Sequence, residues 1–308
     1  MVPLLCQTSA CYSSFLDGVI VVDKPEGLTS HDVVNRVRKI VNIRKVGHLG
    51  TLDPMATGVL PLVIDRATRL AQFFSAGEKK YDAVIRFGWA TDTYDREGTP
   101  TSPVIEPKFA RQELDDALEA FRGSYLQTPP QFSAKKVAGT PAYKLARKQI
   151  VVELPPVQVH VFALSVAEFD GATARIHVHC SAGTYLRSIA HDLGQALGCG
   201  AHLQALRRTA SGEFGENQAR SLEVLKELAQ AGRLEEAILP AAQLLPQFPN
   251  MTVDATTAGQ IRRGRDFRVS PFLDKPGTKF VKAINPNGDL IAIGEARLPH
   301  VYHPVLVF

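Results

Sequence analysis

The run Gly47-His48-Leu49-Gly50-Thr51-Leu52-Asp53-Pro54-Met55-Ala56-Thr57-Gly58 carries two titratable side chains, His48 and Asp53, among three glycines. Glycines permit tight turns and close approach of a ligand to the backbone. A lone carboxylate in such a turn can act as a base or a nucleophile. It can equally cap the next segment, because Asp before Pro is a common start signal, and His48 can simply bond nearby backbone. A second run, Cys180-Ser181-Ala182-Gly183-Thr184-Tyr185-Leu186-Arg187-Ser188, leaves a strand, turns at Gly183 and enters a helix with Arg187 in its first turn. Cations are favoured at the other end of a helix. Arg187 therefore calls for a specific anionic partner, a carboxylate or a phosphate; the plain alternative is a surface Arg. If Arg187 faces Asp53, it orients the carboxylate and prevents burial from raising its pKa.

Metal and nucleotide chemistry find little support. His177 and His179 share one face of a strand beside Cys180, but no further ligand lies at metal-like spacing, and His300 with His303 is too isolated to supply one. No GxxxxGK[ST], GxGxxG or GxSxG motif is present. Metal, nucleoside-triphosphate and dinucleotide chemistry therefore have no support in the motifs.

Charge adds a third signal. Lys plus Arg total 35 against 31 Asp plus Glu, a formal +4. That balance permits an anionic partner without demanding one, so placement decides. Basic clusters recur at Arg36 to Lys45, Lys79-Lys80, Lys135-Lys136, Arg207-Arg208 and Arg262 to Arg268, while acids gather elsewhere, at Glu113 to Glu119 and Glu223 to Glu236. Such asymmetry suits a phosphate backbone. An ordinary solvated face explains any single cluster but explains all of them less well.

These residues must be positioned by a chain of 308 residues with 45% apolar and 21% charged side chains, a globular composition long enough for about two domains. Disordered and low-complexity classes are excluded. The longest apolar runs, such as Val59 to Ile64, fall far short of the roughly 18 residues of a membrane span. Met1 to Phe15 lacks the basic head and apolar stretch of a signal peptide. The four cysteines form no CxxC pair, which fits a reducing cytoplasm.

Residues 1–16 read as a flexible leader. GVIVVD (18–23) reads as a buried strand, and Thr29 or Ser30 caps a helix carrying Val33, Val34, Val37, Ile40 and Val41 at helical spacing. VLPLVI predicts a strand and RATRLAQFFSAG a helix ending at Gly77. Strands are expected over 81–89, 157–168 and 173–180, and helices over 111–122, the end of 181–197, 221–234 and 235–245. Residues 124–156 are basic and broken by five prolines, the texture of a functional insertion. After Pro246 to Pro249 the chain changes to short strands with tight turns, a separate β-rich unit over 251–308.

Six blocks, GVIVVDKPEGLTSHDVV, GHLGTLDPMATGVLPLVIDRATRL, KKYDAVIRFGWATDTYDREG, PPQFSAKKVAGTPAYKLAR, HCSAGTYLRSIAHDLG and GCGAHLQALRRT, resemble in order and spacing the bacterial TruB family of tRNA pseudouridine synthases. The resemblance runs from Gly18 to about Leu245. It implies an α+β fold with a bent, mostly antiparallel mixed sheet and flanking helices, a catalytic domain over 17–246, and a small C-terminal PUA-like RNA-binding domain. It also implies isomerisation of the T-arm uridine (tRNA position 55) without a cofactor, by breaking C1′–N1 and rejoining the base through C5. Asp53 is then the catalytic carboxylate, Arg187 its ion-pair partner and Tyr81 the aromatic that stacks on the base and helps remove the C5 proton. Tyr185 and Leu206 are implied as pocket walls and His48 as the group that fills the space of the flipped base. Lys24 is implied beside the cleft, and Pro129 to Val152, with Lys135 and Lys136, as a mobile clamp on the RNA stem. The implied partner is tRNA, with no membrane and no obligatory protein partner, in a cytoplasmic monomer. A non-catalytic tRNA-binding chaperone on the same fold is the rival; an Asp-dependent hydrolase would need a second carboxylate or a metal that the motifs do not offer.

Overall fold

A computed structural model of the chain describes residues 17–133, 135–137, 139–146, 148, 150, 152–272 and 277–308. The expected leader, 1–16, and Arg147 of the basic segment lie outside the described residues. Among the described residues the main sheet has ten strands. They are β1 (Gly18–Lys24), β2 (Val46–His48), β3 (Thr57–Ile64), β4 (Lys79–Phe87), β5 (Gly123–Gln127), then, beyond the small hairpin β6 (Lys136–Val137) and β7 (Thr140–Pro141), β8 (Val157–Phe169), β9 (Thr173–Cys180), β10 (Ala201–Ser211), β11 (Phe214–Gly215) and β12 (Ile238–Pro240). The order is β12-β1-β3-β10-β4-β9-β8-β5, with β2 on β3 and β11 on β10. Only the β3–β10 pairing is parallel, so the sheet is mixed and mostly antiparallel. The helices are α1 (Ser30–Val41), α2 (Arg111–Leu118), α3 (Ala142–Ala146), α4 (Leu186–Ala196), α5 (Leu222–Gln230) and α6 (Ala255–Arg262).

Strand alternation decides what each face meets. Ile20, Val22, Leu60, Leu62 and Ile64 face the helices, packing with Val33, Val37, Ile189 and Leu193. Val19, Val21, Val59 and Val63 point to the opposite face, where Leu70, Phe214, Leu244, Leu290, Ile293 and Leu306 cover them. Burial on both faces is why β1 and β3 read as unbroken apolar runs. By contrast β4 and β9 alternate, with Lys80, Arg175 and His177 exposed on their outer face.

The C-terminal strands β13 (Asn250–Thr252), β14 (Phe267–Arg268), β15 (Phe280–Ile284), β16 (Leu290–Leu298) and β17 (Val301–Val307) form a second sheet, ordered β13-β15-β16-β17-β14. It has its own apolar core around Ile261, Phe267, Val281, Ile291 and Tyr302.

Two helix expectations are corrected. Asp65–Phe73 is a 3-10 helix rather than an α-helix, and Gly77 follows it in a turn instead of capping it. Residues 235–245 hold a 3-10 turn, strand β12 and a second 3-10 turn. Pro240 cannot sit inside a helix, and Ile238–Pro240 instead pairs with the edge of β1 at Gly18–Ile20. The basic segment expected over 124–156 begins inside the main sheet, because residues 123–127 are β5, paired with β8. No helix of the described residues is long and apolar enough to cross a membrane.

Candidate active site

The loop between β2 and β3 carries Asp53, and three side chains hold it from below. Ser30, at the start of α1, accepts from Leu52 N (2.8 Å) and donates to Leu52 O (3.1 Å). Arg208 of β10 donates to the carbonyls of Gly50 and Thr51, each at 3.2 Å, and to Val59 O at 2.8 Å. Lys24 donates to Pro25, Pro54 and Ala56 carbonyls at 3.0, 3.1 and 2.6 Å. The loop closes on β10 through Gly58, whose φ is +99° and where a Cβ would stand 2.3 Å from Arg208 O. Only glycine allows that approach.

Arg187 comes from the opposite half of the sheet. Gln127, at the end of β5, accepts from Tyr185 N (2.8 Å) and donates to Tyr185 O (3.1 Å), and Ser188 donates to Thr128 O (2.9 Å). These bonds fix the start of α4. The Arg187 Nε then lies 2.9 Å from Asp53 Oδ2, and its Nη1 lies 3.5 Å from Asp95 Oδ2 and donates to Thr93 O at 3.1 Å. Its Nη2 donates to Phe132 O at 2.9 Å. The Arg187 and Asp95 side chains are each 6% exposed, whereas Asp53 keeps 36% of its side chain open. So Arg187 is no surface residue, and the Asp53 side chain is an ion-pair member instead of a cap.

Above the pair lies a cavity of about 470 Å³, within the range of about 300–1,000 Å³ usual for ligand pockets. His48, Asp53, Tyr81, Tyr185, Arg187 and Leu206 all line it. Tyr81 faces it from β4, directly opposite Arg208 in the β4–β10 register. The Nδ1 atom of His48 is buried with no hydrogen-bond partner among the described residues.

Electrostatics correct one expectation. Burial raises the Asp53 carboxyl above its ordinary value; Arg187 opposes this, Asp95 adds to it and Lys24 opposes it. The guanidinium therefore does not fully offset desolvation. Burial also raises the Tyr81 phenol, against the pull of Arg208, and lowers the His48 imidazole, helped by Arg208.

Other expectations separate. Lys24, expected to bind substrate, is fully buried and off the cavity wall; its ammonium is spent on the Asp53 loop. Burial lowers it to about 8. Lys135 is exposed and off the cavity wall, and the side chain of Lys136 lies outside the described residues. Of the basic clusters, Arg36, Lys39, Arg44 and Lys45, and Arg262, Arg263, Arg265 and Arg268, are exposed. Lys79 and Arg208 are buried, and Arg207 pairs with Asp23 and Glu216. His177 and His179 meet Asp82 and Glu78, and no group of three or more metal-ligating side chains occurs among the described residues.

Sequence reading missed Asp95, Gln127 and the buried role of Arg208. Asp95 and Gln127 bond near neighbours as any turn or strand-end residue does, and the partners that tie them to the site, Arg187 and Tyr185, lie far along the chain. Arg208 had one: it shares strand parity with the pocket wall Leu206, so one of the two faces inward with the other.

Residues 38–186 match the model of the TruB family pseudouridylate synthase N-terminal domain, and residues 187–246 that of the tRNA pseudouridylate synthase B C-terminal domain. The chain is 62% identical over 292 residues to tRNA pseudouridine synthase B of Solibacter usitatus (strain Ellin6076), covering 95% of this chain and 100% of that one. It is 44% identical over 249 residues to tRNA pseudouridine synthase B of Geobacter sulfurreducens, covering 81% and 82%. Among solved structures, an H/ACA RNP bound to a substrate RNA containing 2′-deoxyuridine is similar with a TM-score of 0.71 and 26% identity, covering 96% of this chain and 86% of that one. A Cbf5-Nop10-Gar1 complex is similar with a TM-score of 0.69 and 27% identity, covering 93% and 80%. A carboxylate and a guanidinium meeting in a nucleoside-sized cavity, on a chain this similar to known synthases, lead to one conclusion: the chain belongs to the TruB family of pseudouridylate synthases and is an isomerase.

Proposed function

We propose that the chain converts the T-arm uridine of tRNA, position 55, to pseudouridine, with Asp53 as the catalytic carboxylate. The observation that carries this reading is the Asp53–Arg187 pair, at 2.9 Å, on the wall of a cavity that Tyr81, Tyr185 and Leu206 also line. A stacked base cannot expose its C1′ and C5 atoms to such a cavity, so the uridine is flipped out. Flipping costs a few kcal/mol. Stacking on Tyr81 returns about 1–3 kcal/mol, and His48 fills the vacated space in the loop. Ionised Asp53 starts the rearrangement, by adding to the base, by bonding to C1′ or by taking a proton from the ribose. Arg187 orients it, and positioning supplies much of the remaining acceleration. The exposed cations hold the RNA backbone, the segment that carries Lys135 and Lys136 grips the stem, and residues 251–308 act as a PUA-like RNA-binding unit. The protein works as a cytoplasmic monomer.

The test is a pseudouridine assay on unmodified tRNA transcript, with and without the T-loop uridine. Pseudouridine in the first RNA only supports the reading. Binding of both RNAs with no pseudouridine in either would make the protein a tRNA-binding chaperone instead.

A further inference from the structure

Two cations that line the cavity, Lys79 and Arg208, have no carboxylate partner among the described residues. Lys79 is 8% exposed, and its ammonium donates to a neutral acceptor, Ser211 Oγ, at 2.8 Å. Arg208 is 1% exposed, and its acceptors are the carbonyls of Val59, Thr51 and Gly50, with Tyr81 opposite it on β4. Among the described residues neither forms an ion pair, whereas Arg187 has two carboxylates within reach. Burying a cation without a counter-charge costs several kcal/mol. Such a cost is expected where negative charge arrives later, in the course of a reaction.

The placement fits that purpose. Lys79 and Tyr81 stand two residues apart on β4 and so share a face. In the β4–β10 register Ser211 lies opposite Lys79 and Arg208 opposite Tyr81. Lys79, Tyr81 and Arg208 line the same cavity as Asp53. The ammonium has three donors, of which Ser211 takes one.

We propose that Lys79, with Arg208 behind it, is a catalytic group that stabilises the negative charge on the uracil ring when the C1′–N1 bond breaks. This rests on the reading above. The electron pair of that bond leaves with N1 and spreads to O2 and O4. Asp53 bonds to C1′, takes the C2′ proton or adds to the ring, and is free again once C5 has bonded to C1′ and any ring adduct has eliminated. The C5 proton then departs and N1 gains one, so the product is an isomer and nothing is oxidised or reduced. Lys79 donates to a uracil carbonyl oxygen during the interval of negative charge. Burial, and Arg208 second, lower the Lys79 ammonium to about 8, with Cys180 of β9 opposing. Ser211 and Arg208 face it from β10 and Tyr81 shares its strand.

The experiment measures single-turnover pseudouridine formation at saturating enzyme, together with tRNA affinity, for wild type, Lys79→Met and Lys79→Arg from about pH 6.5 to 9.5. Removing one preorganised donor of this kind typically costs about 10²–10³-fold. Lys79→Met is expected to slow the chemical step at least about tenfold with affinity within about twofold. The wild-type rate is expected to fall on the alkaline side, and Lys79→Arg to restore most of the rate and to abolish that fall. Three results overturn the proposal. The first is a wild-type rate in Lys79→Met. The second is lost affinity with a shallower salt dependence and an unchanged saturating rate, which makes Lys79 a phosphate ligand. The third is an alkaline fall that persists in Lys79→Arg, which assigns it to Lys24. A wild-type enzyme that makes no pseudouridine in tRNA overturns the underlying reading as well, so the two failures are separate.

Discussion

Arg187 Nη2 donates to the main-chain oxygen of Phe132 over 2.9 Å. The guanidinium that holds Asp53 is therefore also bonded to the basic segment that follows β5. Any movement of that segment on RNA reaches the ion pair directly, through one planar group whose donors are fixed relative to one another.

Arg187→Lys keeps the charge and loses the fork that reaches Asp53, Thr93 O and Phe132 O together. The rate of pseudouridine formation is expected to fall on the order of 10²-fold. Arg187→Ala leaves Asp95 buried and unpaired, and urea unfolding should show a loss of about 3–5 kcal/mol. A wild-type unfolding midpoint in Arg187→Ala would mean that the Arg187–Asp95 pair adds nothing to the stability of the site.

Asp53→Asn should abolish isomerisation by on the order of 10³-fold or more while tRNA affinity stays. In wild type the raised Asp53 carboxyl has a visible consequence. Activity needs the ionised form, so it falls as pH drops through a value above the ordinary 3.8. A pH–rate profile whose acid limb lies at or below that ordinary value would contradict the burial argument.

Lys24 gives a stability signature. Its folded-state pKa, about 8, lies below the ordinary 10.5. Below pH 8 both states carry the proton and the full cost of a buried ammonium is present. Between about pH 8 and 10.5 the unfolded chain binds more protons than the native one, so Lys24's contribution to unfolding free energy rises with pH. Lys24→Met should be less stable, because three carbonyls lose their donor. Its stability should also rise less steeply than wild type over that window. Urea midpoints at pH 7.5 and 9.5 for both proteins decide it, and parallel slopes would count against the assignment.

Lys135→Ala with Lys136→Ala should weaken tRNA binding and flatten its salt dependence by about 0.7–0.9 in log–log slope for each phosphate that is no longer neutralised. An unchanged slope would take this pair out of the RNA interface.

Much of the fold was legible where one period dominates. Ile20, Val22, Leu60 and Leu62 sit on strands buried on both faces, and Val33, Val34 and Val37 line one face of α1, as their spacing requires. Asp53 and Arg187 were legible as candidates by residue type and spacing, but a cap and a surface Arg explained them as well, and only the resemblance of the surrounding blocks put the two together; the structure brings them to 2.9 Å. Lys24 was placed beside the cleft by resemblance alone; that three inward carbonyls draw its ammonium under the Asp53 loop had no signal in the local sequence. Residues 235–245 were misread because the edge of β1, distant in sequence, recruits Ile238–Pro240. Gln127 and Asp95 gave no signal, since their purpose is defined by α4, far along the chain.

The apolar seam between the two units has a mechanical meaning. Leu290, Ile293 and Leu306 of the second sheet bury against Val19 and Val63 of the first sheet and Leu70 of the 3-10 helix that follows β3, and Lys282 reaches across to the carbonyls of Ala242 and Leu244 at 2.9 and 2.7 Å. A module seated this way cannot swing on a tether. It stands at a set span from the Asp53 cavity, so an RNA that touched both surfaces would have to match that span, as a workpiece matches a fixed caliper.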